Sequence, residues 1–178
     1  MTNNKYVIVL RHGPTHSNET INYNSFVNFT SDLIVYLTNF LSNKGLNINN
    51  ITPKIYTSPF PRCKDTGKLL ASYLEVLRNN KKINVGTDEG VKRWDAKNET
   101  REMSIKRANN YGNNIFKKIT EKNDPCVYIY VSHSSVIPSL ISGIVGRKLK
   151  KIKLHTACLS IININERELE VFNKSFKE

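Results

Sequence analysis

A short apolar run that stops on chemically loaded residues constrains this chain more than anything else in it. Tyr6, Val7, Ile8, Val9 and Leu10 are followed at once by Arg11, His12 and Gly13, then by Pro14, Thr15, His16, Ser17 and Asn18. Such a run, bounded by polar residues, has the pattern of a strand buried in a sheet. In open α/β sheets, ligands bind beyond the C-terminal ends of the strands. The pattern therefore sets a guanidinium beside an imidazole at a ligand-binding edge. One imidazole can act as a nucleophile, and one guanidinium can grip two phosphate oxygens. Gly13 lets the backbone turn sharply and approach a ligand closely. Pro14 suits the first turn of a following helix, whose free N–H groups would favour an anion.

Two more strands end on polar residues of the same kind. Lys54, Ile55, Tyr56 and Thr57 lead into Ser58, Pro59, Phe60, Pro61, Arg62, Cys63, Lys64, Asp65 and Thr66. The run Val127, Tyr128, Ile129, Tyr130 and Val131 leads into Ser132, His133, Ser134 and Ser135. Between the strands, apolar residues recur at helical spacing. Phe26, Phe29, Leu33, Ile34, Leu37, Phe40 and Leu41 predict a helix that Gly45 stops, and Leu69, Leu70, Tyr73, Leu74 and Leu77 predict a second, ending near Asn79 and Asn80. A third helix is expected over residues 103–119, interrupted by Gly112, and a fourth over residues 136–145, capped by a serine. Residues 83–85 read as a short strand and residues 86–100, around Trp94, as irregular. Residues 158–164 and 169–172, joined by a turn near Asn165 and Glu166, read as a terminal hairpin. Strands alternating with helices predict an α/β layer structure. With no repeat, linker or low-complexity tail, one domain over residues 1–178 is expected.

Composition sets the outer bounds. A chain of 178 residues, 39% hydrophobic and 24% charged, fits a globular protein with a sizeable core. The formal charge of +12 attracts anions, whether phosphorylated substrates, nucleic acid or acidic membrane surfaces, without choosing among them. Cys63, Cys126 and Cys158 are too few and too scattered for a disulfide framework or a zinc site. None has an arginine six residues on, so the Cys-x5-Arg pattern of cysteine phosphatases is absent. The first residues lack an apolar leader and no segment is long enough to span a bilayer, so a cytoplasmic location with no membrane partner is expected. The basic run from Arg147 through Lys148, Lys150, Lys151 and Lys153 reads as a solvated sheet edge, where lysines discourage strand pairing. It has little aromatic interleaving, so nucleic acid is not the expected partner.

The three strand ends together resemble the histidine phosphatase superfamily, in its phosphoglycerate mutase-like branch. That family opens with Arg-His-Gly followed by a Thr and an Asn at fixed offsets, matched here by Arg11, His12, Gly13, Thr15 and Asn18. Its second element has Thr-Ser, an Arg four residues after the Ser and a Thr four beyond, matched by Thr57, Ser58, Arg62 and Thr66. Its third is usually Ser-His-Gly, matched by Ser132 and His133 with Ser134 in place of the glycine. The resemblance covers nearly the whole chain and implies a three-layer α/β fold with a mixed, mostly parallel sheet flanked by helices. His12 would then attack phosphorus through one ring nitrogen, the other being held by a backbone carbonyl. Arg11, Arg62 and His133 would surround the phosphoryl oxygens, with Thr15, Asn18 and Ser134 as secondary donors. Thr66, one helical turn from Arg62, would face the ligand too. A phosphorylated substrate is the expected partner. No cofactor or metal is expected, since the guanidiniums take the electrostatic role. His12 and His16 are four residues apart but have no acidic third ligand nearby.

One departure stands out. The family's leaving group usually receives its proton from a Glu in a Leu-x-Glu sequence after the third strand, and here Arg93 holds that position. Asp95, Glu89 or Glu99 would have to deliver the proton. Alternatively, the substrate is one whose leaving group needs little help, such as phosphohistidine, a phosphoanhydride or an aryl phosphate. General acid catalysis is worth about 10²–10⁴-fold, serious to lose for an alkyl phosphate and tolerable for an activated one. Ser139 stands where many members have a second Arg. The leading expectation is a metal-independent phosphatase working through a phosphohistidine on His12. Behind it stands a catalytically weak phosphate-binding module that recruits a phosphoprotein or nucleic acid. A phosphoglycerate mutase comes last, because mutases are longer and rely on the missing Glu.

Overall fold

Alternate residues of the first strand, β1 (Lys5–Arg11), serve two different cores, and the layering of the molecule follows from that. The computed structural model describes residues 3–15, 21–149 and 153–176, with Asn28 by its backbone alone. Tyr6, Ile8 and Leu10 of β1 pack into one buried cluster, Val7 and Val9 into another. Beside β1 runs β4 (Cys126–Ser132), parallel to it, with β5 (Leu159–Asn163) antiparallel on the other side. β2 (Lys54–Thr57) and β3 (Val85–Thr87) extend the parallel part, and β6 (Glu168–Lys174) closes the hairpin with β5. The resulting order is β3-β2-β4-β1-β5-β6, a mixed six-stranded sheet whose first four strands in the chain are parallel.

Helices cover both faces. Leu33, Leu37 and Leu41 of α1 (Tyr23–Asn43) join Leu70 and Leu74 of α2 (Pro61–Leu77) against Ile55, Val127, Ile129 and Leu159. On the opposite face, Ile115 and Ile119 of α3 (Arg101–Thr120) join Leu140, Ile141 and Ile144 of α4 (Ile137–Val145) against Tyr128, Tyr130 and Ile162. Each such fully buried side chain contributes about 1.5–3 kcal/mol of transfer free energy. Helix ends follow the sequence. Asn22 caps α1 by accepting from the Ser25 N–H at 3.1 Å, and Gly45 takes the left-handed turn beyond its end with φ 74°. Thr100 caps α3 in the same way, accepting from the Met103 N–H at 3.2 Å. Among the described residues no helix is long and apolar enough to cross a membrane.

Several local expectations give way. Pro14 does not open a helix: its carbonyl accepts from the Asn22 N–H at 2.6 Å, and Thr15 forms a bridge with Ile21. β3 begins at Val85 rather than Ile83, because the Ile83 N–H donates to Glu75 Oε1 at 2.6 Å instead of a strand neighbour. Gly112 does not interrupt α3. A Cβ there would lie 2.1 Å from the Leu140 carbonyl oxygen, so the glycine lets α3 and α4 meet backbone to backbone. No serine caps α4; Val136 holds the cap position, and its N–H and that of Ile137 both donate to the His133 carbonyl. Arg147 and Lys148 follow the end of α4 rather than forming a sheet edge, the edges being β3 and β6. Lys150 and Lys151 of that run lie outside the described residues.

Candidate active site

Strand register brings the three polar strand ends to one level. Arg11 pairs with Ser132 across β1 and β4, and Thr57 pairs with Val131 across β2 and β4. The alignment continues one residue further: the His12 N–H donates to the Ser132 carbonyl at 3.1 Å, and the Ser58 N–H to the Val131 carbonyl at 2.9 Å. His12 and His133 therefore face each other, with ring centroids 5.3 Å apart.

His12 is half-exposed and held by its own turn. Its Nδ1 lies 2.8 Å from the Gly13 carbonyl oxygen. A carbonyl only accepts, so Nδ1 carries the proton and Nε2 keeps a free lone pair. Burial, and then the charges of Arg62, Arg11 and Arg93, hold the imidazole pKa down at about 4. At neutral pH this is an uncharged nitrogen base surrounded by cations. Gly13 is glycine because a Cβ would sit 2.5 Å from the Phe26 ring; its close approach is to α1.

His133 is buried and uses both nitrogens. Arg62 Nη2 lies 3.2 Å from Nδ1, and since a guanidinium only donates, Nε2 bears the proton. Nε2 then donates to Ser58 Oγ at 2.9 Å, with Cys63 Sγ at 3.3 Å as a second contact. Burial, followed by His12 and the arginine charges, drives the His133 pKa far below its ordinary value. Phe60 packs edge-on against the His133 ring and lies under the Arg62 guanidinium. Burial pushes the Cys63 thiol up to about 12, so it remains a thiol rather than a nucleophile.

The arginines come in from different elements. Arg11, on β1, donates from Nη1 to the Leu154 carbonyl at 2.6 Å, and its buried Nε has no partner among the described residues. Arg62 stands in the first turn of α2. Thr66, one turn on, does not face a ligand. Its hydroxyl donates to the Arg62 carbonyl at 2.7 Å and accepts from the Gly13 N–H at 3.0 Å. It ties the His12 turn to the Arg62 turn.

Among the described residues, the carboxylates nearest in sequence to Arg93 are engaged elsewhere. Asp95 accepts from Asn98 Nδ2 at 2.5 Å and from the Lys97 N–H at 3.1 Å, which holds its pKa below the usual carboxylate range. Glu99 is paired with Arg107 at 2.8 Å, and Glu89 is exposed, 4.0 Å from Lys92. Among the described residues no acidic side chain figures among the charges that act on His12 or His133, whereas Arg93 acts on both. Asp95 is thus committed to Asn98 and Lys97. Thr15 and Ser134 are exposed at the margin of the site, and Asn18 and His16 lie outside the described residues.

A model of the histidine phosphatase superfamily (branch 1) matches residues 43–174. The chain belongs to the histidine phosphatase superfamily. The matched range contains Arg62 and His133 and begins after Arg11, His12 and Gly13. A mutant phosphoserine phosphatase of Entamoeba histolytica in complex with phosphoserine superposes at a TM-score of 0.62 and 15% identity, over 95% of this chain and 96% of that one. A mycobacterial glucosyl-3-phosphoglycerate phosphatase in complex with VO3 gives 0.61 at 14% identity, over 96% and 99%. A structure described as mycobacterial hydrolase 2 gives 0.65 at 13% identity, over 98% and 93%. At these identities the likeness is one of fold. No curated protein sequence matches the chain. As a histidine phosphatase superfamily member the protein is a phosphatase-type hydrolase.

Sequence reading named the Thr57-Ser58 pair without giving Ser58 a task, and its buried hydroxyl proves to be the partner of His133. It also passed over Ser132, whose Oγ donates to the Val91 carbonyl at 2.7 Å and pins the segment before Arg93 onto β4. The available signal was a polar side chain at the end of a buried strand, the last residue of β4 for Ser132 and the first residue beyond β2 for Ser58.

Proposed function

We propose that this histidine phosphatase hydrolyses its substrate through a phosphohistidine on His12, without a metal. The observation that carries this reading is the His12 Nδ1 contact to the Gly13 carbonyl, which leaves Nε2 as a neutral nucleophile under the charges of Arg11, at the end of β1, and Arg62, in the first turn of α2. Nε2 attacks phosphorus, the bond from phosphorus to the leaving oxygen breaks, and its electron pair leaves with that oxygen. Water then attacks the phosphohistidine, the N–P bond breaks with its electrons returning to Nε2, and the proton lost by the water passes to solvent or to the departed oxygen. Arg11 and Arg62 hold the equatorial oxygens as charge spreads over them. His133 stands opposite His12 and holds the Arg62 guanidinium through Nδ1, which orients that arginine toward the phosphoryl group. Thr15, Asn18 and Ser134 are proposed as secondary contacts, and Asp95 is not assigned a proton-transfer role.

The test is turnover of p-nitrophenyl phosphate in EDTA, wild type beside His12→Ala. Chelator-resistant activity that disappears in the variant supports the mechanism. Activity retained by His12→Ala removes it. A folded wild type that binds inorganic phosphate but turns nothing over makes the protein a phosphate-binding module instead.

A further inference from the structure

The position that would carry the leaving-group acid carries a fixed cation instead. Arg93 follows a 3₁₀ turn (Glu89–Val91) that is clamped at several points. The Val91 carbonyl accepts from Ser132 Oγ at 2.7 Å, directly beside His133 in the chain. Arg107 donates to the Gly90 carbonyl at 3.2 Å and the Lys92 carbonyl at 3.4 Å, and its ion pair with Glu99 removes that carboxylate from service. The segment bearing Arg93 is thus held against the C-terminal end of β4. From there its charge acts on His12, Arg62 and His133 together.

A guanidinium cannot give up a proton in a protein, so Arg93 does nothing for a leaving alkoxide. It does stabilise a group that departs already carrying negative charge. We propose that the substrate is a phosphoanhydride, whose leaving group is itself a phosphate held by Arg93; the proposal rests on His12 being the nucleophile. His12 Nε2 bonds to the terminal phosphorus, the P–O bond to the bridging oxygen breaks, and the electron pair stays on that oxygen as the departing phosphate. No proton has to be supplied. Water then attacks the phosphohistidine; the N–P bond breaks with its electron pair returning to Nε2, inorganic phosphate leaves, and the proton lost by the water passes to solvent. Neither of the other activated substrates draws on Arg93 to the same degree. A phosphohistidine releases an imidazole that needs a proton and bears no negative charge once it has one. An aryl oxide brings a single delocalised charge. The neighbouring surface is also suited to a longer anion. A cleft of ≈ 1060 Å³ whose lining includes Ser134 and Ser135, next to His133, also presents Arg101, Lys106, Arg147 and Lys148 against the single carboxylate of Glu102.

The experiment compares kcat/KM for inorganic tripolyphosphate, p-nitrophenyl phosphate and β-glycerophosphate in EDTA, with wild type, Arg93→Gln and Arg93→Glu. Tripolyphosphate is expected to be the best substrate. Arg93→Gln is expected to reduce its turnover by about tenfold more than that of p-nitrophenyl phosphate, the modest end of what one donor to developing charge contributes, because Arg93 is exposed. Arg93→Glu, with a carboxylate in the acid's place, should shift preference toward β-glycerophosphate. Equal losses on tripolyphosphate and p-nitrophenyl phosphate in Arg93→Gln overturn the proposal. So does a wild type that cleaves the aryl ester through His12 and leaves tripolyphosphate intact, a result that spares the phosphohistidine mechanism. A wild type that cleaves none of the three removes both.

Discussion

Replacing His12 by alanine tests the electrostatics of the site without relying on turnover. In the folded protein the imidazole titrates at about 4, whereas in the unfolded chain it returns to the ordinary 6.5. Between those values the unfolded chain binds a proton that the folded one refuses, so stability falls as the pH falls. Integrated from neutral pH down to about pH 5, the difference amounts to ~2 kcal/mol from His12 alone, and to ~3 kcal/mol once its folded pKa is passed. His133 is displaced in the same direction and adds to the slope. The assay is urea unfolding followed by circular dichroism at about pH 7.5 and about pH 5, extrapolated linearly to water. Wild type should lose ~2 kcal/mol more than His12→Ala over that interval, since titration of all shared carboxylates cancels in the comparison. Parallel losses in the two proteins would refute the claim that burial and the arginines hold His12 neutral.

Other expectations concern the scaffold around the site. Thr66→Val keeps the shape but strands the Gly13 N–H in a buried position, which should cost about 1–3 kcal/mol in urea unfolding and depress kcat as the His12 turn loosens. Gly143→Ala would set a Cβ 1.9 Å from the Asn109 carbonyl oxygen, so it should force α3 and α4 apart and lower stability by more than ~2 kcal/mol in thermal unfolding. Asp95→Asn should change p-nitrophenyl phosphate turnover by less than about threefold, far below the effect of losing a general acid. A loss of a hundredfold would put the carboxylate back into the chemistry.

What the sequence disclosed depended on how local the cause was. β1, β2 and β4 were legible because each is an apolar run, and their polar ends were legible because such residues are out of place beside a buried strand. The three-layer α/β architecture followed from alternation and from the family resemblance. β3 was misplaced because Ile83 is buried by a loop that bonds to Glu75, which no alternation pattern reveals. Gly112 looked like a break since its reason lies on another helix, at Leu140. In the site, the residue types at the strand ends were readable. The aim of the segment bearing Arg93 and Asp95 was not, being fixed by bonds from Arg107 and Ser132. Thr66 was assigned to the ligand because spacing gives the face of a helix but not the partner that occupies it.

The strand order has a kinetic side. β1 leads into His12, and both of its neighbours, β4 and β5, come from the last third of the chain. β2, α2 and β3 can meet early, since they are consecutive. β1 has nothing to pair with until residues 126–163 have been made. A chain still emerging from the ribosome therefore holds its first apolar strand unpaired, and long-range pairing of this kind slows folding and lengthens exposure to aggregation. The strand that leads into His12 is the first one made and waits longest for a partner.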